Sequence, residues 1–457
     1  MSHIYIEVCI DKESLMKTFF KGALLLVIAA FLSECLEFVI NMVLARELGD
    51  EALGRYMSIL PTIILIVVLA SIELPISISK FIAEQDKKYH LNMLQHTLRF
   101  TLLFTIIFVL LVTVVLPFIP VFDRYHPMIR WLIILLIPII SLSSVARGYF
   151  MGSHRMGKIA LSNFLRRAAQ LILLVILFQW FNFEHDLAIL IAICTLIGSE
   201  LIVFLYLITA YFLQLNSLKK EPSENISGKT VRQQLLAVSI PTTGVRIFHA
   251  VTFAIKPFLI KAALLNSGLT EAVAMAQYGK LAGVAFTIGF FPAFIAHSLL
   301  IVLIPTVSEA YAKRDFIKLQ TLLQKVMLFT FFYGLVAVTI FYVYAEPLTT
   351  LFFESSRAAG YLQLLCLYFL FHYFVMPMQA YLIGLGLVKD AFLHAVWATI
   401  ISFALMYFLG SMEQLQMDGV IIGMNAGVVL LTLMHYVTIC NKIGSTLLLR
   451  APSHFKY

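Results

Sequence analysis

Charge is scarce in this sequence: only 13% of its residues are Asp, Glu, Lys or Arg, against 61% that are hydrophobic. A soluble globular domain carries about a quarter of its residues as charges, so a water-soluble fold is excluded, and the mean hydropathy of +0.93 agrees. Cysteine is sparse too. Cys9 sits in a polar N-terminus, while Cys35, Cys194, Cys366 and Cys440 lie in apolar stretches, with no spacing that suits a metal site or a disulfide framework. No series of short segments alternates polar and apolar residues, which excludes a transmembrane β-barrel. No loop presents a nucleophile with its base, a metal-ligand set or a Gly-rich phosphate cradle, so the sequence does not read as an enzyme and implies no cofactor. The net charge of +8 is spread over short loops rather than gathered in a basic domain, which argues against a nucleic-acid partner. The first 17 residues contain acids and lack the apolar core of a cleavable signal, and are expected to form a cytoplasmic N-terminal segment.

What the sequence has is long apolar runs. A helix needs roughly 20 such residues to cross the hydrocarbon. Windows of that kind fall at 21–45, 56–79, 100–122, 130–150, 164–183, 187–212, 235–261, 278–304, 323–345, 359–386, 391–409 and 419–440. The expected fold is an all-α polytopic membrane protein with about twelve transmembrane helices. Loops on the N-terminal side carry most of the cations, among them Lys87, Lys88, Arg166, Arg167, Lys219, Lys220, Lys313 and Arg314, whereas the opposite loops hold few beyond Arg124, Arg130 and Arg357. The positive-inside rule then places both termini in the cytoplasm.

The longest polar connection, QLNSLKKEPSENISGKTVRQQ, follows the sixth helix and has the composition of a linker. It separates an N-lobe at 18–212 from a C-lobe at 235–442, with a cytoplasmic linker at 213–234 and a cytoplasmic tail at 443–457. An offset of 229 pairs Ser79 with Ser308, Asp86 with Asp315, Leu94 with Leu323 and Thr101 with Thr330, and an offset of 232 pairs Tyr149 with Tyr381 and Gly152 with Gly384. Two halves of six helices enter the membrane from the same side, so they read as parallel repeats about a pseudo-two-fold axis along the membrane normal, with substrate expected between them.

Ionisable residues at membrane depth are costly and point to function. In the seventh helix Arg246, His249, Phe253 and Lys256 fall within an arc of about 80°, giving one cationic and aromatic face. The first helix sets Glu34, Glu37 and Asn41 on one arc, with Arg46 at its outer end. In the second, Glu73, Ser77, Lys80 and Glu84 share a face beside Pro75. Each stripe is also consistent with a structural ion pair or with snorkelling from a helix end. Isolated His297 and His372 are more simply hydrogen-bonded core residues. Cations on a central helix suit an anionic ligand, particularly a phosphate or diphosphate, and Arg adds forked hydrogen bonds. Paired acids at Glu34 and Glu37, with Asn41 and Glu73, suit coupling to Na⁺ or H⁺.

The stretches LGDEALGRYMSILPTIILIVVLASIELPISISKFIAEQ, RGYFMGSHRMGKIALSNFLRR, SIPTTGVRIF and AQYGKLAGVAFTIGFFPAFIAHSLLIVLIPTVSEAYAKRD resemble the polysaccharide-transporter branch of the multidrug/oligosaccharidyl-lipid/polysaccharide superfamily, especially stage V sporulation protein B-like proteins and, more distantly, lipid II flippases. The resemblance spans nearly the whole chain. It implies a two-lobed, MATE-like bundle that alternates between inward and outward states and flips a lipid-linked saccharide with a diphosphate head across the bacterial plasma membrane. It also implies a cationic cavity for the diphosphate, to which Arg46, Lys80 and Arg246 correspond by position, while His249 and Lys256 join them from helix geometry alone. Membrane lipids, and cell-envelope synthesis proteins, are the other partners to expect. Two further readings stay open: a cation-coupled multidrug-type antiporter using Glu34 and Glu37, and a non-transporting scaffold of an envelope-synthesis complex.

Overall fold

A computed structural model describes residues 2–153, 155–181, 183–220, 222–352 and 357–444. Of the expected C-terminal tail, residues 445–457 lie outside the described residues. In chain order the helices are α1 (Ser2–Ser71), α2 (Leu74–Glu84), α3 (Lys87–Val115), α4 (Met128–Gly152), α5 (Met156–Trp180), α6 (His185–Leu218), α7 (Gly228–Asn266), α8 (Glu271–Gly279), α9 (Phe286–Phe290), α10 (Ala293–Ala312), α11 (Phe316–Val343), α12 (Ala345–Thr350), α13 (Arg357–Leu364), α14 (Cys366–Gly384), α15 (Val388–Gly410) and α16 (Gln416–Ile443). No strand occurs among the described residues. The protein is an all-α polytopic membrane protein.

Among the described residues, eleven helical stretches are long and apolar enough to cross a membrane, and the first, Phe31–Glu84, contains 54 residues. At 1.5 Å per residue that stretch is about 80 Å long, enough for two crossings. It is divided where two crossings would meet, since Gly49 has φ 70° and ψ 177° inside α1, a conformation open to glycine without a steric penalty. Counted as two, the stretch gives the expected twelve crossings.

Burial follows the logic of lipid rather than water. On α3 the buried face carries His90, Thr97, Thr101 and Thr105, while Leu103, Ile106, Ile107, Leu110, Leu111 and Val114 are exposed. Thr97 and Thr105 donate to the carbonyls of Met93 and Thr101, four residues earlier, at 2.9 and 2.7 Å, so their hydroxyls are satisfied within the helix.

The chain divides into two compact units, one comprising Met1–Ile40 and Pro61–Val251, the other Asn41–Leu60 and Thr252–Tyr457. In the first, Leu74, Ile78 and Phe81 pack with Met93, Leu94, Tyr149, Phe150, Val203 and Tyr211. In the second, Val307 and Ala310 pack with Leu319, Leu323, Tyr381, Leu382 and Ile439. Residues matched by the two sequence offsets play matching parts. Asp86 and Asp315 are the N-cap residues of α3 and α11. A Cβ on Gly152 would meet Ile82 at 2.6 Å, and one on Gly384 would meet Val307 at 2.8 Å. Each glycine thus lets α4 or α14 lie close against α2 or α10.

The polar connection is shorter and more ordered than its composition suggests. Helix α6 continues to Leu218 and α7 begins at Gly228. Between them Glu224 donates its backbone N–H to the carbonyl of Lys88 at 3.0 Å, and its carboxylate accepts from the Lys88 ammonium at 3.0 Å. Asn92 donates to Asn225 at 3.0 Å and accepts from the N–H of Ile226 at 3.2 Å. Three residues, Glu224, Asn225 and Ile226, are thereby strapped onto the start of α3. The hydrogen bond from Lys88 holds the Glu224 carboxyl below its ordinary value of 4.5.

Candidate functional site

The seed of the site is a break in a membrane helix. Ile72 and Glu73 have φ 41° and 48°, the left-handed region, between α1 and α2. Two consecutive non-glycine residues in that region are costly, and such strain persists where the surroundings enforce it. Pro75 lies in the first turn of α2, where its missing N–H costs nothing. The interruption leaves carbonyls of the preceding turn without helical partners. One is taken up by α4: Ser141 donates to the carbonyl of Ala70 at 2.8 Å. Past the break, the Glu73 carbonyl accepts from the N–H groups of Ile76 and Ser77 at 3.1 and 3.4 Å.

Glu73 is 2% exposed, and its carboxylate accepts a hydrogen bond from the Arg246 guanidinium of α7. The Arg246 side chain is 54% exposed. The pair is therefore asymmetric, with a buried acid holding one nitrogen of a guanidinium on a half-exposed side chain. His249, one turn further along α7, is also exposed and lies against the ring of Phe248.

A second charged assembly occupies the same unit. Glu37 of α1 pairs with Arg167 of α5, and Glu200 of α6 accepts Arg166 at 3.5 Å and Arg147 of α4 at 4.0 Å. Glu34 lies within electrostatic range of both Glu37 and Arg167. Sequence reasoning counted Arg147, Arg166 and Arg167 with the loop cations of the N-terminal side, although they fall inside the apolar windows 130–150 and 164–183; Arg147 lies within α4, and Arg166 and Arg167 lie within α5. Glu200 was missed. Its position inside the apolar stretch CTLIGSELIVF was the available signal. The expected carboxylate pair at Glu34 and Glu37 is thus met by a guanidinium, so a coupling cation there would compete with Arg167.

In the other unit Arg46 donates to the carbonyl of Leu351 at 2.9 Å. Near it, Asp50 accepts the Lys280 ammonium at 2.5 Å, with the Lys280 side chain 9% exposed. Close backbone approach puts them there. A Cβ on Gly54 would lie 1.8 Å from the Met275 carbonyl oxygen, and one on Gly279 would lie 2.7 Å from the Gly54 nitrogen. Lys280 opens a π-helical turn, Lys280–Ala285, that precedes α9. Lys256 sits over the ring of Phe286 in α9, with its ammonium 5.3 Å from the centroid.

Of the residues singled out from the sequence, the structure joins Arg246 to Glu73 and sets Glu34 beside Glu37 at Arg167. Asn41 is half-buried and falls in the second unit. Lys80 is exposed and pairs loosely with Glu84 of its own helix at 3.8 Å, not with the acid at the break. His372 is not isolated, since its ring stacks on Tyr368. The cysteines at 35, 194, 366 and 440 are free thiols. Among the described residues no group of three or more His, Cys, Asp or Glu could hold a metal ion.

A polytopic helical chain of two compact units with broken helices shares its fold with the multidrug (MATE) transporters. An inward-facing multidrug resistance MATE family transporter of the MOP superfamily superposes with a TM-score of 0.70 at 18% identity, over 92% of this chain and 96% of that one, which establishes the shared fold. Residues 19–311 match the model of the polysaccharide biosynthesis protein family, and the chain belongs to that family. Among curated proteins it is 54% identical to sporulation protein YkvU of Bacillus subtilis (strain 168) over 429 residues, 94% of this chain and 96% of that protein. It is also 31% identical to stage V sporulation protein B of the same organism over 445 residues, 93% of this chain and 84% of that one.

Proposed function

We propose that this protein exports a lipid-linked saccharide with a polyprenyl diphosphate head across the bacterial plasma membrane by alternating access, serving cell-wall, spore cortex or polysaccharide synthesis, with both termini cytoplasmic. Family and fold point to a transporter rather than an enzyme. The observation that supports the cargo most directly is Arg246, half-exposed on a membrane helix and anchored along one edge by buried Glu73. A guanidinium carries five donors in a planar fork that matches phosphate oxygens. Used by Glu73 on one side, it still offers donors to a diphosphate on the other.

The pairing also suggests how cargo and ion movement are linked. When a diphosphate engages Arg246, the Glu73 carboxylate loses part of its counter-charge in a site that disfavours a bare anion. Taking up a proton relieves that cost. Binding of the anionic head would then draw in H⁺ at Glu73, and release would return it. In the multidrug-antiporter reading, Glu34 and Glu37 would attract organic cations, but Glu37 is already paired with Arg167, which also acts electrostatically on Glu34.

Complementation of a strain lacking the gene tests this reading. Arg246→Ala should abolish function at normal protein level and Arg246→Lys should restore it in part. Full function in Arg246→Ala would overturn the diphosphate role.

A further inference from the structure

The second unit contains a built cluster that the diphosphate reading leaves unused. Helix α9 is five residues long, bounded by the π-helical turn Lys280–Ala285 before it and by the interruption at Phe291–Pro292 after it. Non-helical or π-helical backbone at membrane depth is tolerated where it is packed in protein or lines a wet cavity, and π-bulges concentrate at functional sites. Phe286 and Phe290 lie four residues apart on α9, and Tyr368 and His372 lie four apart on α14, so each pair shares one helix face.

The two pairs interlock. Phe286 stacks on Tyr368 at 6.1 Å, Tyr368 stacks on His372 at 5.7 Å and 11°, and Phe290 stands edge-on to His372 at 5.0 Å and to Tyr368 at 6.1 Å. Behind them is a fixed floor. Phe369 and Tyr373 are both 0% exposed, Phe369 fills the space left by Gly289, and Tyr373 donates to the Gly289 carbonyl at 2.5 Å. By contrast Phe286, Phe290, Tyr368 and His372 are each only half-buried. Rings held rigidly from behind and partly exposed form a platform.

Three basic groups border it. Lys256 lies over Phe286, and both Lys256 and exposed His297 act electrostatically on His372. Among the described residues none of the three forms an ion pair with a carboxylate. An ammonium without a carboxylate partner among the described residues, beside a partly buried aromatic platform, combines two recognition features. Ring faces carry negative potential and attract the positively polarised C–H bonds of a pyranose face. A compact ammonium pairs as a point charge with one anionic group, such as a carboxylate, without the two-pronged geometry that a guanidinium fork imposes.

We propose that Lys256, Tyr368 and His372, with Phe286 and Phe290, form a carbohydrate subsite for a sugar ring bearing a carboxylate. The assignment rests on the reading of the cargo as a saccharide, and the subsite lies within the second unit. In this subsite the sugar face stacks on Tyr368, Lys256 pairs with the carboxylate, and His297 and His372 donate to hydroxyls or to the same carboxylate.

The test is binding of methyl glucuronide and methyl glucoside to the full-length protein in lipid nanodiscs, by calorimetry or saturation-transfer NMR. The wild type should prefer the glucuronide. Lys256→Met should lose that preference by about tenfold, the scale of one hydrogen bond to a charged group, and Lys256→Arg should retain it. Tyr368→Leu should weaken both sugars together. Retention of binding by the Arg and of fold by each variant, read from thermal unfolding, separates a lost contact from a lost structure. Equal binding of the two sugars by the wild type, or an unchanged preference in Lys256→Met, would overturn the proposal. So would displacement of glucuronide by inorganic diphosphate as readily as by glucuronide itself, which marks a plain anion site. Inorganic diphosphate binding that ignores Arg246→Gln would count instead against the function proposed above, leaving the sugar result to stand alone.

Discussion

Glu73 and Arg246 are 173 residues apart in sequence and joined in one ion pair, with the acid buried at a helix break and the guanidinium half open. The asymmetry makes the two partners unequal to substitution. Arg246→Ala leaves a buried carboxylate without its partner, at a cost of about 1–3 kcal/mol, until it takes up a proton. Glu73→Gln leaves an exposed guanidinium that water can solvate. Thermal unfolding in detergent should therefore show a lower midpoint for Arg246→Ala than for Glu73→Gln. Adding Glu73→Gln to Arg246→Ala should recover stability without recovering transport, and equal midpoints for the single variants would contradict the asymmetry.

The network around Glu200 should be more fragile than its individual contacts suggest. Glu200 faces both Arg147 and Arg166, so Glu200→Gln leaves two guanidinium groups without their shared anion. Its unfolding midpoint should fall further than that of Glu37→Gln, which affects Arg167 alone. Exchanging the partners as Glu37→Arg with Arg167→Glu should recover much of the loss in either single variant. Additive losses in the double variant would show that the pair does not couple.

Close backbone contact makes two glycines irreplaceable. Gly54→Ala would push a methyl to 1.8 Å from a backbone oxygen, and Gly279→Ala to 2.5 Å from the Asp50 carbonyl oxygen. Both should fail to give monodisperse protein by size-exclusion chromatography. Gly157→Ala, with nothing within 4 Å of the new methyl, should be neutral or stabilising by up to about 1 kcal/mol, the helix propensity difference.

The strap between α6 and α7 should loosen in acid. Because Lys88 holds the Glu224 carboxyl below 4.5, the interaction is fully present above the ordinary carboxylate value and is lost as pH falls through the lowered one. Amide exchange at Glu224 and Ile226, both bonded to α3, should be protected at neutral pH. That protection should shrink below about pH 4 once intrinsic exchange rates are taken into account. Glu224→Gln should show the weaker protection at every pH.

Much of this was legible in the sequence. Apolar runs counted the crossings, including the pair that merges at Gly49, and the offset repeats located Asp86 and Asp315 as caps and Gly152 and Gly384 as contact points. Thr101 and Thr330, matched by the same offset, are each 0% exposed. Depth and charge singled out Arg246. Its partner was not legible, because pairing across 173 residues is decided by tertiary packing, and Glu73 had been grouped with Lys80 by helical spacing that the break interrupts. Arg147, Arg166 and Arg167 were hidden because, near the ends of the windows 130–150 and 164–183, they were counted with the loop cations rather than as charges within a helix. The strap was hidden by composition, since Ser, Lys, Glu and Pro describe a linker whether or not hydrogen bonds order it.

The most direct measurement is translocation by the purified protein in liposomes that contain a fluorescent polyprenyl-diphosphate saccharide, with an imposed proton gradient and without one. Export of the saccharide head that needs Arg246 and is accelerated by the gradient in wild type, but not in Glu73→Gln, is the predicted result. Translocation at the same rate in wild type, Arg246→Ala and protein-free liposomes would contradict the central claim.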